Sequence, residues 1–305
     1  MAVKLKPLEE QVIVITGASS GIGLCTALMA AEQGAKLVLA ARSEDVLQSL
    51  EEEITASGGE AVYVVADVSD RDQVEEIANV AISNFGRIDT WINDAAISIY
   101  GRLEQVHEAD SKRLFDINFW GVVNGSLAAL PHLRANGGAL INIGSEVSDA
   151  VVPLQGMYSA SKHAVKGFTD ALRVEVEEVD KASVSITLIQ PTAVNTPFPN
   201  NAKNYMNHEP KLPSPMIDPH KVAEVILETA TKGGRDVRVG AMSVLNTSAF
   251  KYTPSLADKF SAKQADRQQE DFAPIDPEGA LYKPSHSGRI HGHPGSPQPQ
   301  PFIGG

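Results

Sequence analysis

Residues 11–23 read QVIVITGASSGIG, and the reading of this stretch decides the fold. Val12, Ile13, Val14 and Ile15 are continuously apolar rather than alternating, the pattern of a parallel strand covered on both faces. Gly17, Gly21 and Gly23 then stand at the mouth of a helix that continues LCTALMAAEQG. Glycine there lets the chain turn sharply and come close to a pyrophosphate, which the free amides and dipole of a helix start hold. The spacing, G-x3-G-x-G, departs from the G-x-G-x-x-G fingerprint. A tight turn packing helix on strand is the plainer alternative, but three glycines at one strand-to-helix junction favour a dinucleotide.

Outward from this junction the same alternation repeats. Apolar runs of strand length recur at 36–41 (KLVLAA), 61–67 (AVYVVAD), 88–93 (IDTWIN), 138–144 (GALINIG), 183–190 (SVSITLIQ) and, more weakly, 236–240 (DVRVG). Segments of helical periodicity separate them, such as SEDVLQSLEEEITAS at 43–57, which opens on Ser43 as an N-cap. This is the pattern of an α/β protein with a Rossmann-type, doubly wound parallel sheet, right-handed crossovers and helices on both faces. Two stretches break the rhythm. Residues 191–219 are rich in Pro and Asn and too long for a simple connection, so they read as a substrate lid or as disorder. Beyond about residue 241 the periodicity fades. We therefore expect a dinucleotide-binding catalytic domain over 8–240 and a largely irregular extension over 241–305 that buries no core of its own.

The chain has 305 residues, 43% hydrophobic and 21% charged, enough for a sizeable core. A formal charge of −12 argues against nucleic acid as a partner, since phosphate contacts need clustered Lys and Arg. Cys25, the one cysteine, permits no internal disulfide and reads as an inert core thiol in a reducing compartment. The opening MAVKLKPLEEQ does not resemble a signal peptide, and no apolar run approaches the ~20 residues of a spanning helix, so a cytoplasmic protein without membrane contact is expected. His286, His291 and His293 could ligate a metal. Without paired cysteines or carboxylates, a polar tail with no metal is the expectation.

The choice of dinucleotide falls to the end of the second strand, LAARS, where no acid occurs before Glu44. The Arg42 fork and the Ser43 hydroxyl suit a 2′-phosphate and point to NADP, with NAD the alternative, unless Arg42 is only a solvated surface charge. Asp67 ends the third strand. It either accepts from the adenine amine, with Val68 packed on the ring, or caps the following helix.

Tyr158 and Lys162 in GMYSASK lie one helical turn apart on one face. A free phenol has a pKa near ~10, and an adjacent ammonium or a cationic nicotinamide favours the phenolate. Alone, such a pair is most often a helix-surface contact. Ser145, thirteen residues upstream at the end of INIGS, places a hydroxyl at the C-terminal strand edge where ligands of such sheets sit. Asn118, in a long helix read over 103 to about 135, either satisfies a neighbouring helix carbonyl or positions water in a relay to Lys162.

TGASSGIG, the Asn of INDAA, Asn118, Ser145, YSASK and the strand order together resemble the short-chain dehydrogenase/reductase family over residues ~8 to ~240. The resemblance implies a sheet of about seven strands and a homodimer or homotetramer built partly on two long helices. It implies a catalytic group of Asn118, Ser145, Tyr158 and Lys162, with Lys162 also on the nicotinamide ribose. It implies cofactor contacts from Gly17, Ser19, Ser20, Gly21, Ile22, Gly23, Arg42, Ser43, Asp67, Val68, Asn93, Ala95, Tyr158, Lys162, Pro191, Thr192, Val194 and Thr196. The chain departs from the family's N-N-A-G at Asn93-Asp94-Ala95-Ala96 and from its P-G at Pro191-Thr192, and the last ~60 residues lie outside the resemblance.

The activity this implies is reversible hydride transfer between NADP(H) and a carbonyl or secondary alcohol, with Tyr158 as acid/base and no metal. A dinucleotide-binding regulatory or scaffold protein, and an epimerase or dehydratase of related fold, are the rivals. The pocket walls read as 97–100, 146–152, Gln155, Met157 and the 192–215 loop, which favours a small-molecule carbonyl of hydrophobic or medium-sized character. His163 falls on a different helix face and takes no part in the chemistry.

Overall fold

The computed structural model describes residues 3–285 and 288–292, so His286 and His293 lie outside the described residues. Its strands are β1 (Val12–Thr16), β2 (Lys36–Ala41), β3 (Glu60–Val65), β4 (Thr90–Asn93), β5 (Ile99–Tyr100), β6 (Gly138–Ile143), β7 (Val184–Pro191), β8 (Lys203–Asn204) and β9 (Asp236–Val239). The helices are α1 (Gly21–Glu32), α2 (Glu44–Ala56), α3 (Arg71–Phe85), α4 (Glu108–Phe115), α5 (Gly121–Asn136), α6 (Gly156–Arg173), α7 (Phe198–Asn201), α8 (Pro219–Lys232), α9 (Ala241–Tyr252) and α10 (Pro254–Ala262).

Seven strands form one sheet in the order β3-β2-β1-β4-β6-β7-β9, every neighbouring pair parallel. This is the doubly wound Rossmann-type sheet expected from the sequence. Successive side chains of a strand face opposite ways, so each central strand feeds two cores. Ile13, Ile15, Leu37 and Leu39 join one cluster with Leu24 and Ala27 of α1 and Val222 and Ile226 of α8. Val12, Val14, Val38 and Ala40 join the other with Val74 and Ile77 of α3 and Leu133 of α5. The edge strands β3 and β9 are only partly covered, whereas β1, β4, β6 and β7 are buried throughout.

The strand order reverses between β1 and β4, which opens a crevice at their C-terminal ends. Beneath it lies a buried polar ladder. Asn93 accepts from Trp91 Nε1 at 2.8 Å and donates to Asn142 Oδ1 of the adjacent strand at 2.8 Å and to Ser126 of α5 at 3.2 Å. Asn142 in turn donates to Thr169 of α6 at 2.9 Å. Gly125 makes room for the ladder, since a Cβ there would stand 2.1 Å from Asn93 Oδ1.

Three regions differ from the sequence reading. The helix read over 103–135 begins at Glu108 and is interrupted by a π-helical turn, Asp116–Trp120, that carries Asn118. The 191–219 stretch is ordered: it contains α7 and β8, and β8 pairs with β5. The extension begins with α9 and α10 instead of irregular chain, and Ala257, Gln268, Ala280 and Leu281 are buried. Its apolar residues are too sparse to form a core, but Ala280 and Leu281 join the existing one. No helix among the described residues is long and apolar enough to cross a membrane. Cys25 is buried, and burial, aided by Asp218, Glu32 and Glu224, pushes its thiol up to about 12, as suits an inert core residue.

The ladder predicts a stability cost confined to its own groups. Asn93→Ala strands Trp91 Nε1 and Asn142 Oδ1 and should cost about 2 kcal/mol or more in denaturant unfolding; a change below ~0.5 kcal/mol would show that the ladder contributes nothing.

Candidate active site

The first glycine turn is sterically fixed. Gly17 has φ +77°, and a Cβ there would lie 2.8 Å from the Ala95 amide nitrogen. Gly21 has φ +55°. The turn delivers the chain into α1, whose N-cap, Ser20, makes no side-chain capping bond, so the first amides of the helix take acceptors from elsewhere: Gly21 the Arg289 carbonyl at 2.9 Å and Gly23 the Asp94 carboxylate. Thr16 Oγ1 accepts from the amides of Asp94 and Ala95 at 3.2 and 3.4 Å and so clamps the end of β1 to the chain leaving β4. Gly17, Ser19, Ser20, Gly21, Ile22 and Ala95 all line one cavity over this turn. Gly23 does not. A Cβ there would strike the Gly17 carbonyl at 2.4 Å, and its amide is given to the Asp94 carboxylate.

Ser145, Tyr158 and Lys162 line the same cavity. Ser145 follows β6 and caps the short turn Glu146–Ser148, its Oγ accepting from the Val147 amide at 3.3 Å. Tyr158 stands in the first turn of α6, its ring 5.4 Å from that of Phe198. Burial pushes the phenol above its ordinary range, a hydrogen bond with the Ser145 side chain opposes this, and Asp94 and Glu146 add to the rise. The phenol is therefore protonated at neutral pH. Lys162 is buried and donates to the Ile143 carbonyl at 2.7 Å, with Nζ 5.8 Å from the Tyr158 ring centroid. Burial lowers its pKa to about 8 while Asp94 acts to raise it. Lys162 was expected to draw the phenol pKa down; here its ammonium is turned to a strand carbonyl, and burial decides the phenol instead.

Asn118 is fully buried, and its side chain satisfies no helix carbonyl. Its Nδ2 donates to the Ile97 carbonyl at 2.9 Å and to Ser161 Oγ at 3.1 Å, and its Oδ1 accepts from the Ile97 amide at 2.8 Å. It fastens the chain after β4 to α6 and does not line the cavity. Asn93, expected among the cofactor contacts, is also absent from the lining because its amide is engaged in the ladder beneath.

At the far end, Arg42, Ser43, Asp67 and Val68 line the cavity. Asp67 does not cap α3; Asp70 does, accepting from the Asp72 and Gln73 amides. Asp67 instead accepts from the Ser69 amide and hydroxyl and pairs with Arg113. Burial alone would raise its carboxyl, but these partners outweigh it and hold it below the usual range. Arg113 was missed in the sequence because nothing local marks it: α4 brings it from more than forty residues away, where Nη1 also reaches Ser69 Oγ at 2.6 Å.

Pro191, Thr192, Val194 and Thr196 complete the rim. The Thr192 hydroxyl donates to Glu146 Oε2 at 3.1 Å, beside Asn246 of α9 at 3.0 Å, and burial raises the Glu146 carboxyl against both bonds. The substrate side is walled by Ile97, Glu146, Val147, Val152, Gln155, Leu212 and Gln268. Gln268 comes from the extension, accepting from Gln155 Nε2 at 2.6 Å and donating to the Pro153 carbonyl at 2.8 Å. Met157 is packed in the second core cluster rather than on the cavity, and His163 is exposed.

The residues fit a dinucleotide: the glycine turn leaves no room for side chains, the Ser20 side chain does not cap α1, and the cavity runs from Arg42 to Lys162. Comparison with known proteins agrees. A family model described as short chain dehydrogenase matches residues 11–207. The uncharacterized oxidoreductase YxnA of Bacillus subtilis is 44% identical over 284 residues, which cover 92% of this chain and 80% of that protein. The putative oxidoreductase SadH of Mycobacterium tuberculosis is 34% identical over 244 residues, 77% of this chain and 88% of its own. Among solved structures, an alcohol dehydrogenase from the archaeon Thermococcus sibiricus complexed with 5-hydroxy-NADP is 29% identical with a TM-score of 0.66, covering 75% of this chain and 94% of that one. A short chain dehydrogenase/reductase from Burkholderia phymatum in complex with NAD is similar in fold, with a TM-score of 0.76 at 24% identity over 90% of this chain and 99% of that one.

Proposed function

The chain belongs to the short-chain dehydrogenase family, and from that premise we propose that it is an NADP(H)-dependent oxidoreductase interconverting a carbonyl and a secondary alcohol. The observation that carries this reading is the convergence of the Ser145 and Tyr158 hydroxyls, with Lys162 behind them, on the cavity that begins at the glycine turn. The nicotinamide, when bound, supplies hydride exchange with the substrate carbon.

The remaining chemistry belongs to the chain. Ser145 holds the substrate oxygen by a hydrogen bond, and Tyr158 gives that oxygen its proton in the reductive direction. Burial keeps the phenol in its protonated form, so the proton to be transferred is in place before a carbonyl binds. Lys162, a cation below about pH 8, holds the floor of the site through Ile143 and offers its other protons to a ribose. Asn118 keeps the chain after β4 at a fixed distance from α6. Val147, Val152, Leu212 and Ile97 exclude water from the reacting oxygen and favour a substrate with an apolar flank. NADP is preferred to NAD because Arg42 stands at the end of β2 with no acid beside it on that strand, a cationic fork for a phosphate.

Four measurements test this reading. Tyr158→Phe should lower turnover on any accepted carbonyl by roughly a hundredfold or more while NADPH binding stays within a few-fold; undiminished turnover would remove Tyr158 from the chemistry. Tight NADPH binding by the wild type without turnover over a broad carbonyl panel would favour the regulatory role.

Arg42→Ala should weaken NADPH binding by about tenfold or more and leave NADH nearly unchanged. Equal losses for both would return Arg42 to the protein surface.

Asp94 holds Lys162 up, so removing its charge must lower the ammonium pKa below about 8. In Asp94→Asn the alkaline limb of kcat/KM for the dinucleotide should therefore move to lower pH; a fixed limb would assign it to another group.

A further inference from the structure

The C-terminal segment crosses the crevice. Arg42 donates to the Ala280 carbonyl at 2.5 Å and to the Leu281 carbonyl at 3.3 Å, and Ser43 Oγ donates to the Ser285 carbonyl. The Gly21 amide donates to the Arg289 carbonyl at 2.9 Å. The donors that the proposed function gives to phosphates are thus engaged by main-chain carbonyls of the protein itself. Ile290 then packs against the first core cluster, and Gly292 passes so close to Thr196 that a Cβ would lie 2.7 Å from its carbonyl.

Between these two residues stands His291, which meets the N-terminus of α8. Its Nε2 is 3.3 Å from Asp218 Oδ2, and His220 Nδ1 is 2.9 Å from Asp218 Oδ1. The imidazoles stack at 5.7 Å between centroids with 27° between planes. One ligand atom from each of the three residues falls within 4.8 Å of the others. Asp218 is held as the helix cap by the His220 amide at 2.8 Å on Oδ1, which leaves Oδ2 facing His291. Two imidazole nitrogens and a carboxylate oxygen open to water are the ligand set of a borderline divalent cation, with water completing a tetrahedron. His291 lies two residues from Arg289, a reach of at most ~7 Å. Fixing the one fixes the other's carbonyl on the Gly21 amide.

We propose that Asp218, His220 and His291 bind one divalent cation of the zinc class, and that this fastens the C-terminal segment across the phosphate-binding donors, so that metal and dinucleotide bind antagonistically. The metal site stands on its own geometry; the antagonism rests on the dinucleotide reading above.

The test titrates Zn2+ into the full chain by calorimetry and measures NADPH affinity with and without saturating Zn2+. The expected result is one equivalent of Zn2+ whose affinity falls roughly tenfold or more in His291→Ala and again in His220→Ala, both exposed positions whose loss leaves the core untouched. Zn2+ should weaken NADPH by the same factor by which NADPH weakens Zn2+, and His291→Ala should abolish this coupling. Zn2+ affinity unchanged by both substitutions overturns the site. NADPH affinity unchanged or strengthened by Zn2+ overturns the antagonism. If NADPH binds neither form while Zn2+ binding is intact, the dinucleotide reading and the antagonism fall together and the metal site stands.

Discussion

The close passage of Gly17 under the chain leaving β4 is the constraint on which the rest of the structure depends. A side chain at Gly17 would meet Ala95 backbone at 2.8 Å, and its φ of +77° favours glycine. Because the turn is that tight, α1 starts directly at the switch in strand order, and Gly23 packs against the turn with its amide on Asp94. The Thr16 hydroxyl closes the arrangement by tying the two strand ends together. A helix start, a carboxylate and a buried lysine thereby share one crevice, and their electrostatics follow from that sharing.

The replacement of an amide by a carboxylate at Asp94 shows how strongly. Burial pushes Asp94 up to about 7, against the pull of Lys162 and the Gly23 amide. Burial pushes Lys162 down to about 8. The two groups stabilise each other's charged forms. An asparagine in the same place would accept from Gly23 and leave the ammonium uncompensated. The carboxylate also raises the phenol of Tyr158, so it opposes the phenolate while supporting the ammonium. A carboxylate here therefore holds the Tyr158 phenol in its protonated form more strongly than an amide would.

What was legible in the sequence was what neighbouring residues determine. The continuous hydrophobicity of Val12 to Ile15 and the glycines after it give a buried parallel strand and a tight turn, and the spacing of Tyr158 and Lys162 gives one helix face. What escaped was what distant segments supply. The side-chain partners of Asn93 and Asn118 were not legible, because Asn142 and Ile97 become their neighbours only when the sheet and the α6 face assemble. Arg113 reached Asp67 from α4 with no local signal. The extension read as irregular because helical periodicity is weak in α9 and α10 and because Leu281 finds its apolar partners in another core.

Thr192 shows that the extension and the domain are fitted to each other. A glycine after Pro191 would give Glu146 no hydroxyl, and this carboxyl, one residue past Ser145, would lose its hydrogen bond from Thr192 in a buried place. The second partner, Asn246, belongs to α9, so the helix beyond the last strand is joined to the reacting end of β6 through one carboxyl group. Gly240 accommodates the substitution: a Cβ there would stand 2.6 Å from Thr192 Cγ2, and its φ of +94° turns the chain directly into α9. Residues 240, 192, 146 and 246 thus form one packed unit spanning the boundary that the sequence drew at residue 240. A change in the pose of α9 must reach Glu146, whose charge bears on Tyr158. The departure from P-G is in physical terms the attachment point of the extension to the chemistry.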